Sequence, residues 1–317
     1  MPDIPVVPSP PPGTVAGWNS VREEDLHLRR SDTVLLTGWR RVADGEFSLT
    51  ASWPPPAAGL PYDIRMLTQT VRQSGLLIAH AAYGVPLTHQ TLLHHFDFNV
   101  LQGFAVPPDV PGRLAIEVSA STPKRPGRSV SSLGIDVRLL QGATLVARAA
   151  SEFGWISPRV YSRIRGAAPG TEWNTWDVPS PLDPRVVRRP VASEVVLSPG
   201  DRPLRWQLRN DVRDVVLYDH PVDHVPGLAL MEAAYQAALA ALHPVPFEVL
   251  TFSNSFEKYT EFDRPCWIDA EMEAGTEIAA GAEVAVLITA SQAGETVLHS
   301  RLTGRCGPAE PGTGFTG

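Results

Sequence analysis

The sequence is poor in several things, and each shortage narrows what the chain can do. No apolar run approaches the roughly 18 residues that cross a bilayer as a helix, so no membrane role is expected. Only two cysteines occur, Cys266 and Cys306, too few for a disulfide framework. Basic residues are not in excess: 27 Lys and Arg face 34 Asp and Glu, a net charge of −7. A nucleic-acid binder normally presents a basic face, so that class is set aside. The opening MPDIPVVPSPPPG lacks the basic and apolar regions of a secretory leader, and a cytoplasmic, reducing setting is expected. Neither a glycine-rich phosphate loop nor a GxSxG elbow is found.

Proline is plentiful, with 31 residues clustered rather than scattered. Proline fixes φ and removes a donor, so such clusters punctuate the chain. Residues 1–17 and 307–317 are expected to be disordered, and WDVPSPLDPRVVRRP (176–190) to be a linker. The 317 residues then divide into domains at 18–175 and 191–306.

The two halves echo each other. PYDIRMLTQTVRQSGLLIAH (61–80) reads as a helix with Leu67, Val71 and Ile78 at helical spacing. VPGLALMEAAYQAALAAL (225–242) carries Leu228, Met231, Tyr235, Leu239 and Leu242 in one stripe. Aligning Gln73 with Gln236, an offset of 163, places Gln69 under Glu232 and Arg72 under Tyr235. Hairpin-like segments precede both helices (31–54 and 191–210). Alternating strands follow both: 94–104, 112–120 and 134–153 in one half, 253–263, 266–274 and 282–304 in the other. Each half therefore predicts an antiparallel sheet wrapped round one long helix, an α+β layer architecture.

With Pro226-Gly227 followed by Glu232, the second helix start resembles the hotdog fold of acyl-carrier-protein dehydratases. The duplicated pattern more specifically resembles the AfsA-type family of γ-butyrolactone synthases. LLTGWRR (35–41), TQTVRQSGLLIAHAAYGVPLTHQ (68–90), VYSRIRG (160–166), ASEVVLS (192–198) and LYDHPVDHVPGLALMEAAYQAA (217–238) carry the resemblance. It implies a double hotdog, a pseudo-dimer within one chain, or else a homodimer. It also implies an acyltransferase moving a β-ketoacyl group from an acyl carrier protein to a phosphorylated acceptor such as dihydroxyacetone phosphate. Phosphopantetheine would arrive on the carrier, and no cofactor of the chain's own is expected. The alternatives are a hotdog dehydratase, isomerase or hydrolase acting on acyl thioesters, and a non-catalytic binder. This sequence departs from the family's Glu-x-x-Arg-Gln helix pattern in both halves. The first reads Gln69, Arg72, Gln73 and the second Glu232, Tyr235, Gln236.

The candidate site residues follow. Glu232, bordering the apolar stripe, is read as a desolvated acid–base group. Gly227 could offer its N–H to a thioester carbonyl at the helix N-terminus, and Gln69 could orient a carbonyl or water. Substrate contacts are assigned to Arg72, Arg163 and Arg165 as anion-binding forks, and to Tyr235, Gln73, Gln236 and His220. VYSRIRG reads otherwise as an exposed strand or loop tail. Repetition of Gln73 and Gln236 also suits a shared bond to a neighbouring strand's backbone. His220 and His224 are four apart, but Pro221 and Pro226 keep them off the helix and no further zinc ligand lies close, so no metal is expected.

Overall fold

The structure is a computed structural model describing residues 17–57, 59–122, 131–166, 172–273 and 278–308. The ends expected to be disordered lie outside the described residues, apart from Gly17, Gly307 and Pro308. Two compact units result. Unit 1 is the chain up to Gly170 together with Tyr218–Pro221, and unit 2 is Thr171–Leu217 together with Val222 onward.

Unit 1 contains β1 (Leu36–Ala43), β2 (Glu46–Trp53), α1 (Ile64–Leu77), β3 (Gln90–Val100), β4 (Gly112–Ser121), β5 (Ser132–Gln141), β6 (Thr144–Ile156) and α2 (Pro158–Arg165). Its sheet runs β1-β2-β4-β5-β6-β3, antiparallel throughout. Unit 2 contains β7 (Leu197–Pro199), β8 (Arg205–Leu208), α3 (Gly227–Leu242), β9 (Phe247–Phe256), β10 (Cys266–Met272), β11 (Glu283–Gln292) and β12 (Glu295–Cys306). Its sheet runs β7-β8-β10-β11-β12-β9, the same order element for element.

The strands form where apolar residues alternate. β4 and β5 bury every second residue, as a sheet with one covered face requires. The helices were expected to bury one stripe, yet α1 and α3 are buried nearly all round because each sheet curls about its helix. Leu67, Val71 and Ile78 are at most 1% exposed, and Ala229, Ala233, Ala234, Ala237 and Ala238 let α3 lie close against its sheet. Gly75 serves the same end in α1: a Cβ there would meet the Phe153 ring at 2.5 Å.

Three segments differ from expectation. The strand expected at 253–263 begins earlier, as β9, because Phe247, Val249 and Phe252 supply the buried alternation. VYSRIRG is neither strand nor loop. It belongs to α2, which Pro158 starts and the Ser157 hydroxyl caps by accepting from the Val160 N–H. The proline-rich 176–190 carries the opening turn of unit 2. There, backbone bonds Arg188 to Arg185 and Arg189 to Pro184 copy His27 to Glu24 and Leu28 to Glu23, 161 residues earlier. His27 (φ 52°) and Arg188 (φ 51°) occupy the left-handed region at matching positions, and Leu26 and Val187 are both fully buried.

Candidate functional site on the two long helices

The second conserved geometry of the repeat is a glutamine clamp. Gln73 accepts from the Leu35 N–H at 2.9 Å and donates to the Thr33 carbonyl at 2.9 Å. Gln236 accepts from the Val196 N–H at 2.9 Å and donates to the Glu194 carbonyl at 2.7 Å. Both side chains are fully buried. Each fixes a long helix to the chain that enters its first strand, so each amide oxygen and one N–H of each amide are committed to backbone rather than to substrate.

One turn earlier the helices diverge. Glu232 in α3 is 3% exposed and meets Arg189, whose Nε and Nη2 lie 2.7 and 2.5 Å from Oε1. The Gln236 amide donates to the same oxygen at 2.5 Å. The carboxylate expected to be desolvated therefore has a buried cation beside it, which favours its ionised form and opposes the effect of burial. The Arg189 guanidinium also lies over the Tyr235 ring, 5.7 Å from its centroid. The arginine that the helix pattern lacks at Tyr235 is thus supplied from the segment before the sheet. Gly227 is the first residue of α3, whose N-cap, Pro226, offers no side-chain acceptor.

Unit 1 presents a different cluster. Gln69 is buried on α1. Arg72 donates to the Leu26 carbonyl at 3.4 Å, and burial of its guanidinium pushes its pKa down to about 10, with Asp219 opposing. Asp219 and His220 belong to this unit. The Asp219 carboxylate accepts from the Arg29 and Arg30 N–H groups, the Thr33 hydroxyl and His220 Nδ1. Burial alone would raise Asp219, but these bonds hold it below its ordinary value. His224 pairs in the same way with its neighbour Asp223 and packs edge-on to Tyr259. Among the described residues no group of three or more His, Cys, Asp or Glu could hold a metal ion.

Two histidines not expected from the sequence complete the cluster. α1 ends in a π turn, Ile78–Ala82, a helix irregularity that often marks function. It carries His80, 7% exposed, whose Nδ1 lies 2.7 Å from the Val85 carbonyl. His27 stacks on it with ring centroids 4.6 Å apart. Burial first, then His80, Arg72 and His220, lower the His27 pKa to about 4. A histidine inside the apolar run LLIAHAA was the available signal for His80, and extending the repeat before residue 191 would have exposed Arg189.

The remaining candidates sit apart from these clusters. Arg163 is exposed on α2 and Arg165 half-buried at its end. Both cysteines are buried and free, and burial pushes the Cys266 thiol up to about 12, which does not suit a nucleophile.

Known proteins resemble this arrangement along nearly its whole length. The family of A-factor biosynthesis hotdog domains matches residues 17–157 and 174–308. The 2-oxo-3-(phosphooxy)propyl 3-oxoalkanoate synthase of Streptomyces virginiae is 39% identical over 298 residues, covering 92% of this chain and 99% of the relative. The synthase of the same name from Streptomyces coelicolor is 32% identical over 293 residues, covering 88% and 90%. Among solved structures, one described as an oleoyl thioesterase from Lactobacillus plantarum shares the fold, with a TM-score of 0.52 at 10% identity over 82% of this chain and 97% of that one. Two matched segments, each a sheet curled round one long helix, together with that identity, show that the chain belongs to the A-factor biosynthesis hotdog-domain family.

Proposed function

We propose that the chain transfers a 3-oxoacyl group from a carrier-protein thioester to the hydroxyl of dihydroxyacetone phosphate. The product is the ester for which its relatives are named. The observation that carries this reading is the 39% identity to such a synthase, extending over 99% of the relative. The phosphopantetheine arm comes with the carrier, and the chain needs no resident cofactor.

The side chains divide the work by charge. Arg72, a desolvated guanidinium with no carboxylate bonded to it among the described residues, meets the acceptor's phosphate. Within unit 2, the Gly227 N–H at the start of α3 is the donor offered to a carbonyl oxygen. Gln69 on α1 orients a carbonyl or a water. Within unit 2, Glu232 holds Arg189 over the Tyr235 ring. His220 is held by Asp219, the carboxylate that acts on Arg72, and Arg163 on the surface of α2 is available to the arm's phosphate.

Incubating the purified protein with a 3-oxoacyl carrier thioester and dihydroxyacetone phosphate tests the reading by mass spectrometry. The expected outcome is the phosphorylated ester with release of free carrier thiol. Thioester that stays intact, or that is only hydrolysed, would overturn it.

A further inference from the structure

The transfer needs a group to take the acceptor's hydroxyl proton, and Glu232 is already engaged by Arg189 and Gln236. A better-suited group lies in unit 1. A carbonyl oxygen only accepts, so the 2.7 Å contact between His80 Nδ1 and the Val85 carbonyl fixes the proton on Nδ1. His80 Nε2 is then a bare lone pair. It is buried and has no hydrogen-bond partner, as is His27 Nε2 on the stacked ring. The Trp155 ring meets His80 edge to face at 6.4 Å, and its Nε1–H is also buried without a partner. Thr91 faces Trp155 across the β3–β6 register, and its hydroxyl is in the same state.

Buried polar atoms left without partners are rare in folded proteins, and several on residues that pack on or pair with one another call for an occupant. The pattern of missing partners describes that occupant. The imidazole lone pair wants a donor, whereas the indole N–H and threonine hydroxyl want an acceptor. A molecule with a hydroxyl beside a carbonyl supplies both. The metal alternative fails because no third ligand joins the two histidines among the described residues.

We infer that this cluster binds the hydroxyketone end of the acceptor, with His80 Nε2 as the base for its hydroxyl. The inference deepens the transfer proposed above and rests on it for the reaction. His80 Nε2 takes the hydroxyl proton as the oxygen attacks the thioester carbonyl. The C–O bond forms, the C–S bond breaks, and the proton passes from the imidazolium to the departing thiolate. Neutral His80 is regenerated with the Nδ1–H bond intact. Trp155 and Thr91 hold the acceptor's ketone oxygen, and His27 closes the cluster on the side of Arg72. The charged and titratable groups acting on His80 are Asp25, which favours its protonation, and His89, which disfavours it, while His80 in turn disfavours protonation of the stacked His27. Burial is the largest influence and keeps the ring neutral.

The test has two arms. In the first, protein with 15N-labelled histidine is titrated with dihydroxyacetone phosphate and followed by NMR. His80 should show the Nδ1–H tautomer, and its bare Nε2 resonance should move on saturation. An Nε2–H tautomer, or an Nε2 resonance unmoved by saturating ligand, overturns the inference whether or not the enzyme turns over. In the second arm, His80→Asn keeps a donor for the Val85 carbonyl but removes the base. Its kcat should fall about 100-fold or more with KM little changed, as loss of a general base implies. Trp155→Phe should instead raise KM for the acceptor about tenfold. His80→Asn turning over within threefold of the parent would overturn the assignment of the base. An inactive parent chain would count against the transfer reaction only, because the NMR arm still decides the site.

Discussion

The middles of α1 and α3 are the most instructive comparison in the molecule. Gln73 and Gln236 make the same two backbone bonds in both units, so that position has kept one structural task. One turn earlier the units have parted. α3 carries Glu232, neutralised by Arg189, whereas α1 carries Gln69 and a guanidinium, Arg72, facing histidines. Leu28 stands where Arg189 stands in the repeat, 161 residues apart, so unit 1 has no cation entering from that side. Unit 2 thus has a closed ion pair, and unit 1 a buried guanidinium near imidazoles with no carboxylate bonded to it among the described residues. The repeat preserves what holds the helix and varies what the helix offers.

The ion pair gives the largest expected difference. Arg189→Met strands a carboxylate at 3% exposure and should cost about 3–5 kcal/mol in urea unfolding. Arg189→Met combined with Glu232→Leu should recover most of that loss, since a buried pair is often replaceable by apolar residues. Arg72→Met leaves no buried carboxylate in contact, and should change stability by no more than about 1 kcal/mol while abolishing ester formation. Similar stability losses for Arg189→Met and Arg72→Met would erase the contrast between the units.

The glutamines come next, and here the units should agree. Replacing Gln73 or Gln236 by Leu removes two bonds to buried backbone, and each change should cost about 2–3 kcal/mol. Gln236→Leu should be the costlier by a fraction of that, because Gln236 also donates to Glu232. Thermal unfolding of the two variants side by side measures both values. A large loss from one and none from the other would mean that the clamp is structural in one unit only.

Sequence periodicity revealed the two helices, most of the strands and the repeat, because each depends on local spacing that burial enforces. Leu67, Val71 and Ile78 are buried as their spacing demands. The polar partners were another matter. Arg189 meets Glu232 across 43 residues of chain, and its surrounding prolines resemble a linker although they shape a buried turn. His27 and His80 meet only because a left-handed residue at 27 and a π turn at 78–82 bring their rings together. No pattern of apolar residues encodes either feature. α2 was missed because its apolar residues, Val160, Tyr161 and Ile164, span only eight residues, and the clearer signal lay in Ser157 and Pro158.

The smallest expected effect belongs to His27 and separates the units by pH. Its folded pKa is about 4 against 6.5 for an unperturbed histidine, chiefly through burial and then through His80, Arg72 and His220, with Asp25 opposing. As pH falls, the unfolded chain binds this proton first. The stability His27 contributes is therefore present above pH 6.5 and is lost progressively down to pH 4, below which both states are protonated. At about 1.4 kcal/mol per pKa unit the full shift corresponds to about 3 kcal/mol, and about 2 once its partly exposed ring is allowed for. Asp219 and Asp211, the latter lowered to about 2, act in a separate window, losing their contribution only below 3.8. His27→Asn suits the left-handed backbone at φ 52°, so it should flatten the stability profile between pH 6.5 and 4 without reshaping the turn. Urea unfolding across that range checks this, and an unchanged slope would refute it. The matching residue in unit 2 is Arg188 rather than a histidine, so the sensitivity should arise in unit 1.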